Sequence, residues 1–369
     1  RIEANFTAGM AQVSKRLDVL NAAEYAAYQN LAYTNSNIYT GTAYTLPYRG
    51  ENVPDPNNPG QTYYDKGPQD FIGDNNNWQD RIFRSGLYQN YSVNINGGTD
   101  AGTHSISFNY LDQEGTIQNS DYNRFGLGLN LGRNISKTFK IGTSTSLAST
   151  LTNGVKTGTD KSDAASAGVI RSALTFPSTI SDPIAYDGVG DAFITNPYIY
   201  VNDVLNKVRG LNIFSSNYLE ARFLKDFKFR QNVGFNYSSS TRDQYYPTSV
   251  YEGFAMRGWG LKADSIWNNI TSESILTYDK KIEKHSLNVM GAGTFERTNG
   301  QSKRTEAKTF PNDNLQNENL AAGEVIMPVV TNRYQSTLMS FLGRANYSFD
   351  DRYLLTLSYR QDGSSKFGK

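Results

Sequence analysis

The chain contains 369 residues, with 36 Lys and Arg balanced by 35 Asp and Glu, two His and no Cys. The near-zero net charge gives no indication of a nucleic-acid partner, and the absence of Cys excludes disulfides and thiolate-bound metals. Aromatic residues reach 13% while charged residues stop at 19%, a composition typical of many strands and turns.

Alternation of apolar and polar residues predicts long strands, beginning with the first residues. In residues 2–10, Ile2, Phe6 and Met10 lie on one face of a pleated strand, and Glu3 and Thr7 lie on the other. A strand that crosses a bilayer needs about 9 to 11 residues, whereas globular strands average about 5 to 6. The predicted strands are approximately 2–13, 87–97, 104–112, 123–132, 138–148, 209–224, 227–238, 265–278, 285–296, 336–348 and 353–360.

The alternation is clearest in residues 227–238. Phe229 and Val233 lie on an apolar face, and Lys228, Arg230 and Asn232 lie on the opposite face. Charges and amides along a whole face do not suit the core of a soluble protein. A half-exposed antiparallel sheet of a soluble protein also alternates, however, so alternation alone leaves both possibilities open.

The lengths of the predicted connections favour a membrane barrel. Short links are predicted at 98–103, 133–138, 224–226, 279–284 and 349–352. Long polar connections alternate with them, at about 14–86, 112–122, 149–208, 239–264 and 297–335. Outer-membrane barrels combine short periplasmic turns with long external loops in this way. Aromatic residues near the strand ends suit interfacial girdles, although they are also good strand formers.

The sequence therefore predicts an all-β fold, an antiparallel transmembrane β-barrel of which this chain supplies about eleven strands. Within the first long connection, Asn21 and Glu24 have the spacing of a capping box, which predicts a short helix through about Tyr33.

Two glycine-rich stretches mimic nucleotide-binding motifs. Residues 363–369 (GSSKFGK) match most of a P-loop, and residues 126–132 (GLGLNLG) resemble a dinucleotide fingerprint in outline. Nucleotide binding requires such glycines between a buried parallel strand and a helix. Both stretches instead belong to alternating strands or follow one, so nucleotide binding is not expected.

The sequence also gives no support for a metal site. His104 and His285 each open a predicted strand after a tight turn, and neither has a second ligand at a suitable spacing. The stretches 55–60 (DPNNPG) and 73–80 (GDNNNWQD) offer oxygen ligands for Ca²⁺ but lack the spacing of a known calcium loop, which favours solvated loops.

Five aromatic residues are the candidates for substrate contacts. They lie in or beside the long connections, and they are Tyr198, Tyr245, Tyr246, Trp259 and Trp267. Aromatic faces stack on sugar rings, but these residues could equally serve only to order the connections. No Ser/His/Asp set or close carboxylate pair stands at a strand end, so the sequence predicts neither an enzyme nor a cofactor.

Four stretches of the chain resemble one known family. They are residues 15–30 (KRLDVLNAAEYAAYQN), 78–132 (beginning WQDRIFRSGLYQNYSVNINGG), 276–296 (LTYDKKIEKHSLNVMGAGTFE) and 341–368 (FLGRANYSFDDRYLLTLSYRQDGSSKFG). All four are similar to the SusC/RagA family of TonB-dependent outer-membrane transporters, in family order and with comparable spacing. Together they cover roughly a third of the chain.

The resemblance implies a bacterial outer-membrane protein with a barrel of 22 strands filled by an amino-terminal plug. It also implies a SusD-like lipoprotein partner at the external mouth, energy supplied by TonB, and import of oligosaccharides or peptides. Residues 1–369 would be the first part of the barrel domain, without the plug and the later strands. Since Arg1 is not preceded by Met and Lys369 follows a glycine, both ends are expected to be cut.

Two alternatives stay open at the level of sequence. A surface β-protein or lectin-like module would bind glycans without moving them, and it should have shorter strands with solvent-exposed polar faces. An outer-membrane enzyme, such as a barrel lipase or protease, would need a nucleophile and a base that meet at the barrel rim.

Overall fold

The computed structural model of the chain describes residues 1–43, 46–54, 62–66, 76–156, 168–180 and 195–367. The strands are β1 (Ile2–Ala11), β2 (Tyr48–Pro54), β3 (Thr62–Lys66), β4 (Gly86–Thr99), β5 (Gly102–Glu114), β6 (Asp121–Asn134), β7 (Phe139–Asn153), β8 (Leu205–Phe223), β9 (Phe227–Tyr246), β10 (Trp259–Ile282), β11 (His285–Lys308), β12 (Val325–Ile326), β13 (Val330–Phe349) and β14 (Tyr353–Ser364). The helices are α1 (Ala22–Thr40), α2 (Trp78–Ile82), α3 (Gly168–Thr175), α4 (Pro197–Asp203) and α5 (Tyr251–Phe254), with a 3₁₀ turn at Leu320–Ala322.

One antiparallel sheet contains all the long strands. Its order is β1-β4-β5-β6-β7-β8-β9-β10-β11-β13-β14, and the two-residue β12 pairs with β11. In the described part of the chain, β1 pairs only with β4 and β14 only with β13, so the sheet is open at both edges. A separate hairpin joins β2 and β3. The predicted all-β antiparallel fold is confirmed, with one long strand for each of the eleven predicted ones.

The strands extend further than predicted at the end of the sheet where the long connections lie. The predicted strand 227–238 continues to Tyr246, and the predicted strand 285–296 continues to Lys308. The predicted connection 239–264 therefore shrinks to residues 247–258, and the predicted connection 297–335 begins only at residue 309. Residues 238–244 (SSSTRDQ) have no apolar face, so the alternation disappears, whereas backbone pairing with β8 and β10 continues.

Short and long connections lie at opposite ends of the sheet, as predicted. The short ones follow β4, β6, β8, β10 and β13, and we call their side the turn end. The connections at the other end follow β1, β5, β7, β9 and β11, and we call their side the loop end. All of them are long except the one after β5, where the predicted connection 112–122 shrinks to residues 115–120. No described helix is both long and apolar enough to cross a bilayer.

One face of the sheet, the apolar face, carries rows of apolar side chains. Phe6, Tyr91, Tyr110 and Phe125 are successive cross-strand partners on four strands. The ring centroids of Phe6 and Tyr91 are 4.8 Å apart, and those of Tyr91 and Tyr110 are 6.3 Å apart. Phe125 remains 43% exposed. Contiguous exposed aromatic residues of this kind mark a surface that contacts a membrane or another protein.

Polar side chains on the apolar face are paired with one another. Gln231 donates a hydrogen bond to Ser272 at 3.0 Å and accepts one from Ser274 at 2.5 Å. The hydroxyl groups of Thr145 and Ser215 are 2.9 Å apart. Internal pairing of this kind lowers the cost of placing polar groups in an apolar environment.

The loop end has a hydrophobic core of its own, built from the long connections. The indole N–H of Trp78 donates to the Pro177 carbonyl at 3.0 Å, and its ring meets Phe176 edge-to-face at 5.0 Å. The buried residues of this core are Trp78, Ile82, Val169, Ala173, Phe176, Ile180, Ile199, Tyr200, Val201, Tyr246 and Val250. Described parts of three long connections thus pack together and order one another.

Helix α1 begins where the sequence predicted and ends later. Asn21 and Glu24 form the predicted capping box, with both hydrogen bonds at 2.9 Å. The helix continues past the predicted end at Tyr33 to Thr40. Gly41 then terminates it with φ 70°, a conformation that glycine adopts without steric cost.

The glycine-rich and asparagine-rich motifs have structural roles where they are described. Residues 126–132 lie inside β6, and Gly363 lies in the edge strand β14, which is antiparallel to β13. Residues 55–60, 73–75 and 368–369 lie outside the described residues. Asn77 caps α2 by accepting from the Gln79 N–H, and the Asn76 amide donates to the Ile180 carbonyl.

Candidate functional site

The second face of the sheet, the polar face, carries a ladder of side-chain hydrogen bonds. Asn232 donates to Glu273 at 2.7 Å, and Asn269 donates to Glu296 at 2.9 Å. These four residues alternate along β9, β10 and β11 with residues of the apolar face. The polar face therefore presents amide and carboxylate groups, which suit a polar ligand or a polar protein surface.

Charged groups concentrate on the polar face near the turn end. Glu220 is 8% exposed and lies 3.9 Å from Arg230 and 3.3 Å from Arg222. The guanidinium carbon of Arg230 also lies 4.1 Å from the centre of the Tyr218 ring. A buried carboxylate between two guanidinium groups is compensated, so this cluster orders β8 and β9 against each other.

A depression of about 560 Å³ lies on the polar face and is the candidate binding site. Trp267, Phe214 and Tyr122 contribute aromatic surface to its lining, and Arg124 and Asn212 contribute hydrogen-bond donors. A lining of aromatic surface with a few polar groups is typical of sites for organic ligands.

Glycine keeps part of this depression open. Gly128 is among its lining residues. A Cβ atom at this position would lie 2.4 Å from the Ser107 hydroxyl oxygen. The glycine run that resembled a dinucleotide fingerprint thus provides space on the polar face of a strand.

Trp267 is the only one of the five predicted aromatic residues among the residues that line this depression. It lies on β10 as the cross-strand partner of Ser238, inside the strand predicted at 265–278 and beside the predicted connection 239–264. Its side chain is half-buried, which leaves ring surface accessible.

The other four predicted aromatic residues pack at the loop end. Tyr246 is 5% exposed, and its ring stacks on Trp259 with centroids 5.3 Å apart. Tyr198 packs against the same core. Tyr245 is fully buried, and its ring meets Phe310 at 5.4 Å in a neighbouring cluster. These contacts order the loop end, and the fully buried ring of Tyr245 has no accessible face.

The prediction did not include Phe214, Tyr122 and Arg124. A signal for Phe214 was available, because it follows Ile213 and is an aromatic residue out of phase with the apolar positions of β8. Arg124 and Tyr122 also stand at polar-face positions of β6. None of these signals shows from sequence alone that β5 to β10 bring the residues together.

Two buried polar contacts hold the loop end together. The Tyr200 hydroxyl group donates to Glu252 at 3.1 Å, and the Lys156 ammonium group lies 3.6 Å from the same carboxylate. Burial, together with the negative charge of Glu252, raises the pKa of Tyr200 above its ordinary range. The phenol therefore stays protonated and serves as a donor.

Comparisons with known proteins agree on one group of relatives. TonB-dependent receptor P3 of Formosa agariphila is 26% identical over 373 aligned residues, which cover 100% of this chain and 34% of the relative. The TonB-dependent receptor SusC of Bacteroides thetaiotaomicron is 24% identical and is matched by 100% of this chain over 35% of its own length. No protein-family model matches the chain.

A solved structure supports the same assignment at the level of fold. The RagAB peptide importer in its closed-closed state superposes with a TM-score of 0.74 at 18% identity, over 100% of this chain and 42% of the matched chain. The chain is SusC/RagA-like. This confirms the resemblance predicted from the sequence and the assignment of the sheet to a TonB-dependent receptor barrel.

The SusC/RagA-like chain spans about a third of the length of the curated relatives that it matches. These relatives are named receptors and the structural neighbour is named an importer, not an enzyme, in agreement with the expectation of no catalysis.

Proposed function

We propose that residues 1–369 form the first part of the barrel wall of a TonB-dependent receptor that imports nutrients across the bacterial outer membrane. The observation that carries the proposal is the two-faced sheet, with exposed aromatic rows on one side and hydrogen-bonded amides and carboxylates on the other. In a barrel, the apolar face contacts lipid and the polar face lines the lumen. The tight links after β4, β6, β8, β10 and β13 all lie at one end of the sheet, which fits periplasmic turns.

The sheet cannot perform this function as an isolated unit. The described parts of β1 and β14 leave two unpaired edges, and unpaired backbone groups are costly in lipid. The proposal therefore requires further strands to close the barrel and a plug to receive the pull of TonB. The greater length of the relatives is consistent with that requirement.

The proposed substrate is an oligosaccharide or a peptide. The structural neighbour is named a peptide importer, which gives the peptide class a precedent, and the oligosaccharide class follows from the resemblance of the sequence to the SusC/RagA family. Trp267 and Phe214 offer stacking surface, and Arg124 offers a donor for carbonyl, hydroxyl or carboxylate groups. Tyr198, Tyr245, Tyr246 and Trp259 pack at the loop end, where they would order the long connections beside this site.

The proposed partners are TonB and a SusD-like lipoprotein that covers the loop end. The ordered core at that end supports this part of the proposal, because a stable docking surface for a lid needs connections that hold one another in place. The expected location is the outer membrane of a Gram-negative bacterium.

The test uses the complete gene in its native host. Outer-membrane fractionation, heat-modifiable mobility on a gel and co-purification of a neighbouring lipoprotein are the first measurements. Growth on single oligosaccharides or peptides, with and without the gene and with and without TonB, then identifies the substrate. A soluble full-length protein that binds glycans would contradict the proposal and favour a surface-binding module.

A further inference from the structure

Basic side chains lie on the apolar face beyond its apolar rows, toward the loop end. Phe235, Ile270 and Arg297 are direct cross-strand partners in one row. Six residues further along β11, Lys303 lies in a row with Asp264 on the same face. Six residues of strand span roughly 20 Å. The apolar face therefore becomes a charged surface within a short distance.

A depression of about 700 Å³ marks this transition. Tyr237 and Ile266 contribute apolar surface to its lining, and Lys303, Arg333 and Asp264 contribute charges. Arg333 is the cross-strand partner of Gln301, so it lies diagonally beside Lys303 on the neighbouring strand. Apolar surface next to cationic groups suits an amphipathic ligand.

The two cations of the depression are only partly compensated. Lys303 lies 3.1 Å from Asp264, yet its side chain is 64% exposed. Arg333 is exposed and has no ion pair within the ranges that the structure describes. The neighbouring cations Arg209 and Lys262 are already bound to Asp243, at 2.6 and 3.0 Å. In the depression, the Asp264 carboxylate therefore faces both Lys303 and Arg333, so the depression carries a net positive charge.

We propose that this depression binds the phosphorylated head group of an outer-leaflet lipid. This inference rests on the proposed placement of the apolar face against lipid. Lys303 and Arg333 would hold the phosphate, since ammonium and guanidinium groups form strong charge-assisted hydrogen bonds with its oxygens. Tyr237 and Ile266 would contact the first part of the acyl region, as residues at a membrane interface do. Asp264 would orient the Lys303 ammonium group.

The test measures binding of lipid A by the full-length receptor in detergent, using native mass spectrometry. The variant is Lys303→Gln combined with Arg333→Gln. Each basic group near an anionic lipid surface contributes about fivefold in affinity, so the double variant should bind about 30-fold more weakly. Lipid A stripped of phosphate should bind the unmodified receptor with a similar loss.

The matched control is Arg242→Gln combined with Arg304→Gln. These two arginines are both cross-strand partners of Ala263, one position closer to the loop end than Asp264 and on the polar face. The control removes the same charge at nearly the same height but on the other side of the sheet, so lipid A affinity should be unchanged. Both double variants must keep the heat-modifiable mobility of a folded barrel.

Three results would overturn the inference. They are unchanged affinity in the Lys303/Arg333 variant, equal binding of dephosphorylated lipid A, and displacement of the lipid by millimolar inorganic phosphate, which would indicate a free-phosphate site. If the receptor still imports its substrate in any of these cases, the lipid-binding inference is wrong but the proposed function stands. A protein that does not reach the outer membrane would reject the proposed function as well.

Discussion

The Tyr245 hydroxyl group donates a hydrogen bond of 2.7 Å to Asp313 and so joins the end of β9 to the connection between β11 and β12. Asp313 also accepts from the Thr248 hydroxyl group at 2.6 Å. One carboxylate thus links two long connections that are far apart in sequence. Contacts of this kind explain how long polar connections hold a defined shape at the loop end.

Replacement of Tyr245 by Phe should lower the free energy of unfolding of the receptor by about 1 to 2 kcal/mol. A hydrogen bond to a charged group is worth about 1.5 to 3 kcal/mol, and Thr248 would still donate to Asp313. Urea unfolding of the lipid-reconstituted receptor measures the loss. Tyr359→Phe is the control, because Tyr359 is 68% exposed and forms no side-chain hydrogen bond among the described residues, so it should behave as wild type. Equal losses in both variants would contradict the role of Asp313.

The same contact predicts a loss of stability at alkaline pH. Burial, followed by the hydrogen bond and the negative charge of Asp313, raises the pKa of Tyr245. Above the ordinary tyrosine pKa of about 10, the unfolded chain releases this proton while the folded chain keeps it, so stability falls as pH rises. Stability measured between pH 9 and about 11 should fall less steeply in Tyr245→Phe than in wild type. Parallel pH profiles would show that this phenol does not contribute.

Membrane-depth strands could be predicted from the sequence, and the extensions beyond them could not. Residues 227–238 alternate because their two faces meet different surroundings, and the structure has a strand there. Between Ser238 and Gln244 both faces are polar, so the sequence carries no period although the strand continues through backbone hydrogen bonds. Periodicity reports the environment of side chains rather than the extent of backbone pairing.

The candidate site could be predicted only in part, because the sequence does not show which side chains the fold brings together. Trp267 stood out as a tryptophan near a predicted connection, and the structure places it in the depression of the polar face. Tyr245 and Tyr246 looked equivalent to it in sequence but are buried in the packing of the loop end. Which aromatic face stays accessible depends on contacts such as that between Tyr245 and Phe310, which join distant segments.

An arginine introduced on the apolar face should lower the free energy of unfolding far more than an arginine introduced on the polar face. Val233→Arg would place a charge among lipid chains in the proposed orientation and should lower the free energy of unfolding by about 2 to 4 kcal/mol. Asn232→Arg should lower the free energy of unfolding by only about 1 kcal/mol, because Glu273, 2.7 Å from Asn232, would offset the repulsion from Arg230, 2.9 Å from Asn232. Folding of both variants into lipid vesicles, followed by urea titration, measures the difference. Similar small costs at the two adjacent positions would contradict the membrane placement of the apolar face.

Substitutions of two tryptophans should affect different properties, one the substrate affinity and the other the free energy of unfolding. Trp267→Ala removes aromatic surface from the depression and should weaken substrate binding at least fivefold, about 1 kcal/mol, with little change in unfolding. Trp259→Ala removes the ring that stacks on Tyr246 at 5.3 Å and should instead lower the free energy of unfolding by about 2 to 4 kcal/mol. Isothermal titration with the imported oligosaccharide or peptide and urea unfolding of the same preparations measure both quantities. If Trp267→Ala binds substrate as wild type does, the depression on the polar face is not the binding site. If both variants lose the same free energy of unfolding, Trp267 acts only through packing.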